Sequence, residues 1–158
     1  MLTRLRTNKV HFKHLLADIP GLEFRDVTDT NGECATVLTV LLPNAKIAER
    51  IAHDLKTRVA SDSAWHVYSN MDQILNKWTA TREQCPFNCG HYTGNESIRY
   101  ERGMLPQTDE LLQRAINISI GVSDPGLGTS FGVTIRDDLA KIEEKALEFR
   151  RAVAYHLN

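Results

Sequence analysis

With 158 residues, the chain has the length of one domain and can bury a core without disulfides or a metal. Its formal net charge of −1, with 25% charged residues, gives no cationic excess that would recruit nucleic acid or an anionic membrane. No apolar run reaches the roughly 20 residues of a membrane helix, and the first residues lack the apolar block of a signal peptide, so we expect a cytoplasmic protein. Its three cysteines fit free thiols in a reducing compartment.

The first half of the chain alternates between helical and extended patterns. Leucines and Phe12 share one face of a helix that ends at "DIPG", residues 18–21, and the basic, uncapped start of this helix resembles the tail of a longer one. A hairpin is predicted from "LEFRDV" at 22–27 and the buried strand "CATVLTVLL" at 34–42. An amphipathic helix over about 45–60 and a strand "SAWHVY" then complete a βαβ-like unit.

The second half contains a long irregular segment and two further helices. Residues 69–105 are irregular but rich in aromatic side chains, which is typical of a pocket-forming loop. Thr108 is predicted to cap a short helix, "DELLQRA", followed by the strand "INISIGV". Thr134 is predicted to cap a last helix that runs to about residue 157. The sequence therefore predicts one α+β domain over 1–158, with a small, mostly antiparallel sheet and helices packed on one face.

The segment "CPFNCGHY", residues 85–92, contains the most reactive side chains of the chain. Tetrahedral zinc needs four ligands, and Cys85, Cys89 and His91 have no distant second pair, so we expect no metal site. A redox pair normally has C-x-x-C spacing at a helix N-terminus, whereas here the spacing is C-x-x-x-C and no helix evidently follows. The third interpretation, a stiff loop that lines a substrate pocket, fits its place in the chain best.

The order of these elements resembles the C-terminal small domain of pyridoxal-phosphate (PLP)-dependent sugar aminotransferases of the DegT/DnrJ/EryC1/StrS family. The similarity is carried by "RTNKVHFKHLLADIPGLEF", "IAERIAHDLKTRV", "WHVYSN", "CPFNCGHYTG" and "MLPQTDELLQRAINISI", and it covers nearly the whole chain. It implies a fold-type-I small domain that closes on a substrate. The long loop departs from the shorter segment of nucleotide-sugar members, so an acidic keto sugar or another polyol is a plausible substrate.

The resemblance also implies which parts of the enzyme this chain lacks. In the family, the Schiff-base lysine and most cofactor contacts belong to a large domain that precedes the small one. The seven lysines of this chain are interpreted as surface residues, and none is a recognisable counterpart of the Schiff-base lysine. We therefore expect no catalytic residue, no tight PLP binding and no transamination by this chain alone.

Five residues are candidates for substrate contact: Arg114, His66, Tyr68, Asn70 and His91. Arg114 precedes a strand at about the place where related enzymes carry a carboxylate-binding arginine, although a cation at a helix C-terminus is an equally simple interpretation. His66 and Tyr68 are two apart on a predicted strand and would share a face that ends at Asn70. They are otherwise read as a buried histidine and a core aromatic residue.

The sequence supports two functions of different classes. The first is the substrate-closing domain of an aminotransferase that moves an amino group from an amino acid to a keto or aldehyde sugar in amino-sugar biosynthesis. Its partners would be the large PLP-binding domain or a homodimer partner, besides its small-molecule substrates, with no nucleic acid and no membrane. The alternative is a free-standing, non-catalytic α+β binding or interaction module, since architecture alone does not determine function.

Overall fold

The computed structural model describes residues 1–63, 67–82, 85, 87 and 99–157. It confirms the predicted class, because five helices accompany a small antiparallel sheet in these ranges. The helices are α1 (Leu2–Leu16), α2 (Ala45–Asp54), α3 (Asp72–Leu75), α4 (Pro106–Gln113) and α5 (Leu139–Leu157), and the strands are β1 (Glu23–Phe24), β2 (Val37–Leu41) and β3 (Ala115–Ser119). Short 3₁₀ turns lie at Ala60–Asp62, Tyr68–Asn70 and Pro125–Leu127. None of the helices in the described ranges has the length and apolar content that a membrane crossing requires.

The sheet has the order β1-β2-β3, and both pairings are antiparallel. Leu38 pairs with Ile118 and Val40 with Ile116, and all four side chains are buried on the same face. Thr39 and Asn117 oppose each other on the other face, where the Thr39 hydroxyl donates to Oδ1 of Asn117 over 2.8 Å. Thr39, the one polar residue of β2, and its partner Asn117 thus lie on the face of the sheet opposite the buried Leu38, Val40, Ile116 and Ile118.

The two terminal helices pack side by side and run in the same direction. Arg4 near the start of α1 donates to the carbonyl of Asp137, and Arg150 late in α5 donates to the carbonyl of Leu15. Arg150 also forms a two-pronged ion pair with Asp18, and this hydrogen bond lowers the pKa of the Asp18 carboxyl below its ordinary value. Between the helices and the sheet lies one hydrophobic cluster whose largest members include Phe12 and Phe149, both fully buried.

Two predictions about β2 and the cysteines are wrong. The strand starts at Val37 rather than at residue 34, because Ala35 adopts a left-handed backbone with φ of 57° that interrupts an extended strand. Cys34 is consequently exposed instead of buried, and its thiol is free. Cys85 is disulfide-bonded, so the expectation of three free thiols fails for this cysteine.

The predicted strand over residues 63–68 is also incorrect in its described part, since Tyr68 belongs to a 3₁₀ turn. Two residues outside the named strands, Val59 and Gly132, form isolated bridges to β3, at Ile116 and Ser119. The predicted cap at Thr108 is wrong as well: α4 begins at Pro106, whose fixed φ suits the first helical position. At α5, the Asp138 carboxylate accepts from the Lys141 amide over 3.0 Å, so Asp138 caps the helix rather than Thr134.

Candidate functional site

A polar cleft of about 340 Å³ lies between the 3₁₀ turns that follow α2 and the helix α4. Its walls carry hydroxyl, carboxamide, guanidinium and carboxylate groups beside two apolar side chains. The lining residues are Ser61, Val67, Ser69, Arg102, Gly103, Asp109, Leu112 and Gln113. More of the cleft surface is apolar than polar, and a concave, mainly apolar site with a few polar groups is typical of small-molecule recognition.

Tyr68 supports one wall of this cleft through its hydroxyl group. The hydroxyl donates to Oδ2 of Asp109 over 2.8 Å and accepts from the amide of Leu105 over 3.2 Å. Leu105 immediately precedes α4, so a single side chain connects the 3₁₀ turn to the helix start and to a cleft carboxylate. The predicted substrate residue Tyr68 is therefore next to the cleft, and its phenol orients Asp109.

Asn70, in the same 3₁₀ turn as Tyr68, supports the cleft through its carboxamide. Its Nδ2 donates to the carbonyl groups of Ser61 and Ser63 over 2.9 and 2.8 Å, which holds the first 3₁₀ turn against the second. Its Oδ1 accepts from a terminal guanidinium nitrogen of Arg102 over 3.2 Å. The amide nitrogen of Asn70 thus holds the two 3₁₀ turns together, and its amide oxygen orients Arg102.

Arg102 and Asp109 are the charged groups of the lining, and neither was identified from the sequence. Arg102 is exposed to solvent and Asp109 is half-buried. Because the two charges have opposite signs, the lining carries no net charge, and a ligand can both accept from the guanidinium and donate to the carboxylate. A sequence signal existed for Asp109, an acidic residue in the first turn of α4, but none marked Arg102, whose placement depends on Asn70.

Arg114 lies elsewhere and has several partners. It follows α4 directly, and its side chain is 17% exposed to solvent. One terminal nitrogen donates to the carbonyl of Leu42 over 3.3 Å, and Nε lies 3.0 Å from Oε1 of Glu110 without the alignment of a hydrogen bond. A second carboxylate, that of Glu23, lies 3.8 Å away. These contacts link α4 to the sheet, and Arg114 does not line the polar cleft.

The remaining candidates from the sequence, His66 and His91, lie outside the described residues, as does Cys89. The motif "CPFNCGHY" is described at two positions, Cys85 and Phe87. Phe87 packs edge-on against the ring of Tyr100, with ring centres 5.3 Å apart, and the ammonium group of Lys77 lies 5.2 Å from the same ring. Tyr100 is two residues before Arg102 in the chain. Phe87 of the motif therefore packs against a residue that is a near neighbour, in sequence, of a cleft-lining residue.

PLP and metal ions each require particular side chains in a binding site. None of the described lining residues is a lysine, the residue to which PLP is covalently attached, so these residues do not fit the cofactor. Lys9, interpreted from the sequence as a surface residue, is buried in α1 and paired with Glu33, far in sequence from the cleft. Within the described ranges, no group of three or more histidine, cysteine or carboxylate side chains could hold a metal ion. No protein-family model matches the chain.

Proposed function

We propose that the chain is the substrate-closing small domain of a PLP-dependent aminotransferase that moves an amino group from an amino acid to a keto or aldehyde sugar. The observation that carries the proposal is that Tyr68 and Asn70, two residues expected from the sequence to meet substrate, both build one polar cleft beside α4.

The chemistry of the cleft suits a polyhydroxylated substrate. Hydroxyl groups of a sugar both donate and accept, and the lining offers a carboxylate acceptor at Asp109, donors at Arg102, and hydroxyls at Ser61 and Ser69 that can do either. Val67 and Leu112 supply an apolar surface for the carbon-bound hydrogens of a ring. In this proposal the chain binds and orients substrate, while a lysine-bearing large domain supplies the covalent step with PLP.

The test is amino transfer by an assembled enzyme. The polypeptide encoded upstream of this chain is joined to it, supplied with PLP, and assayed with labelled glutamate and a panel of keto and aldehyde sugars. We expect PLP-dependent transfer of nitrogen to a sugar, and a higher KM for that sugar in Asp109→Ala than in the exposed control Asp72→Ala.

Two outcomes would contradict the proposal. One is the absence of a lysine-bearing PLP domain upstream together with a stable, monodisperse 158-residue protein, which would favour the non-catalytic binding module. The other is an internal-aldimine absorption band from the purified chain mixed with PLP, because it would place the cofactor lysine in this chain.

A further inference from the structure

We propose that Arg102 is the anion-binding residue of the polar cleft and that its ligand is a small carboxylate carrying hydroxyl or ammonium groups. The assignment of this ligand to amino transfer rests on the proposed function. Within that function, the inference specifies the chemistry of the substrate that the same cleft binds. The sequence had pointed to a different arginine, Arg114, for this role.

The contacts of the two arginines separate their roles. Arg114 is largely buried, lies within 4 Å of the carboxylates of Glu110 and Glu23, and donates to the Leu42 carbonyl. Among the described residues, Arg102 donates one side-chain hydrogen bond, to a neutral acceptor, Oδ1 of Asn70, and it lines the cleft from an exposed position. A guanidinium has five N–H donors in a planar fork, so Arg102 retains a pair that can bind both oxygens of a carboxylate.

Asn70 reduces the conformational entropy that the Arg102 side chain loses when a ligand binds. Its Nδ2 is fixed by the carbonyl groups of Ser61 and Ser63, so its Oδ1 points in a defined direction and holds one end of the guanidinium. An arginine oriented in advance loses less side-chain freedom when a ligand binds. The neutral acceptor also leaves the positive charge of Arg102 uncompensated at this contact.

Asp109 determines which anions fit. Its carboxylate lines the same cleft, and its Oδ2 accepts from Tyr68, which leaves Oδ1 to accept from a ligand. A simple anion such as phosphate meets repulsion there, whereas a ligand with a carboxylate at one end and hydroxyl or ammonium donors at the other satisfies both groups. Amino acids and acidic sugars share this chemistry.

The experiment is a calorimetric titration of the 158-residue chain with glutamate, glucuronate, glucose and inorganic phosphate at low salt. We expect glutamate or glucuronate to bind more tightly than glucose and phosphate, and the tighter of the two identifies the source of the carboxylate. Arg102→Gln should lower the affinity for that ligand by about tenfold or more. Arg102→Lys should lower it by less, because lysine keeps the charge but loses the planar pair of N–H donors. Asp109→Asn should reduce the difference in affinity between phosphate and the preferred ligand, because the carboxylate that repels phosphate is removed.

Two control variants keep the inference falsifiable. Arg99→Gln removes an exposed arginine of the same segment that does not line the cleft, and it should leave affinity unchanged. Arg114→Gln should lower the stability of the fold with little effect on affinity. Equal affinities of wild type and Arg102→Gln, equal losses in Arg99→Gln, or binding of glucose as tight as that of glucuronate would each overturn the assignment. Because these titrations use the chain alone, their failure leaves the transamination test intact, and a failed transamination leaves the binding result standing.

Discussion

Removal of the Tyr68 hydroxyl tests whether the cleft is held together as described. In Tyr68→Phe the ring remains, but Asp109 loses a donor at 2.8 Å and the Leu105 amide loses an acceptor at 3.2 Å. A hydrogen bond to a charged group contributes about 1.5–3 kcal/mol. Since Asp109 is only half-buried and Leu105 is exposed, water can replace part of both contacts. We therefore expect a loss near the lower limit, about 1.5 kcal/mol in the free energy of unfolding.

The assay is urea unfolding followed by circular dichroism, with thermal unfolding as a second measure. For a chain of this length, a loss of about 1.5 kcal/mol corresponds to a decrease in Tm of roughly 3–6 °C. Tyr155→Phe is the matched control, because Tyr155 is 79% exposed and its hydroxyl removal should change stability by less than about 0.5 kcal/mol.

A double-mutant cycle isolates the contact between the two side chains. Tyr68→Phe, Asp109→Ala and the double variant should give a coupling energy of about 1 kcal/mol, since each single change removes the same hydrogen bond. A coupling energy near zero, or a Tyr68→Phe protein as stable as Tyr155→Phe, would refute the network on which the cleft depends.

Further predictions concern the core and the charged contacts. Nδ2 of Asn8 is buried and has no hydrogen-bond partner among the described residues, so the near-isosteric Asn8→Leu should raise the free energy of unfolding by about 1 kcal/mol; a less stable variant would contradict this. Phe149→Ala should cost about 3–5 kcal/mol in urea unfolding, because Phe149 is fully buried, and a loss below about 1 kcal/mol would show that the core is not packed as described. The lowered pKa of Asp18 means that its ionised form stabilises the fold above the ordinary carboxyl pKa, and that this stability is lost as pH falls through the lowered value. Asp18→Asn should therefore be less stable than wild type in urea at pH 7 and should approach it at pH 2, whereas an equal difference at both pH values would exclude this linkage.

The elements that periodicity determines were predictable from the sequence. The apolar spacing of α1 and α5, the apolar, β-branched run of β2 and the alternation in β3 are local signals of burial, and the structure contains these elements within a few residues of their predicted bounds. The errors occur where a single backbone or side-chain contact overrides the pattern. The left-handed Ala35 shortens β2, and the Pro106 ring starts α4 before the residue expected to cap it.

The cleft was only partly predictable, for a different reason. Tyr68 and Asn70 were identified as substrate residues, but the structure shows them bonded to Asp109, Arg102 and neighbouring carbonyl groups, so they border the cleft and hold its walls. Arg102 belongs to an irregular segment in which no periodicity indicates what a side chain meets. Its neighbour in space, Asn70, is 32 residues away in sequence, and such a contact becomes visible only when the chain is folded.

The location of the ligand site is the central claim, and amide chemical-shift mapping of the 158-residue chain tests it most directly. Titration with glutamate or glucuronate should shift the amide resonances of Ser61, Ser69, Arg102 and Gly103, which line the cleft, and leave those of the α1–α5 helix pair unchanged. Shifts confined to the α1–α5 helix pair, or saturable binding without any change at the cleft amides, would contradict the account.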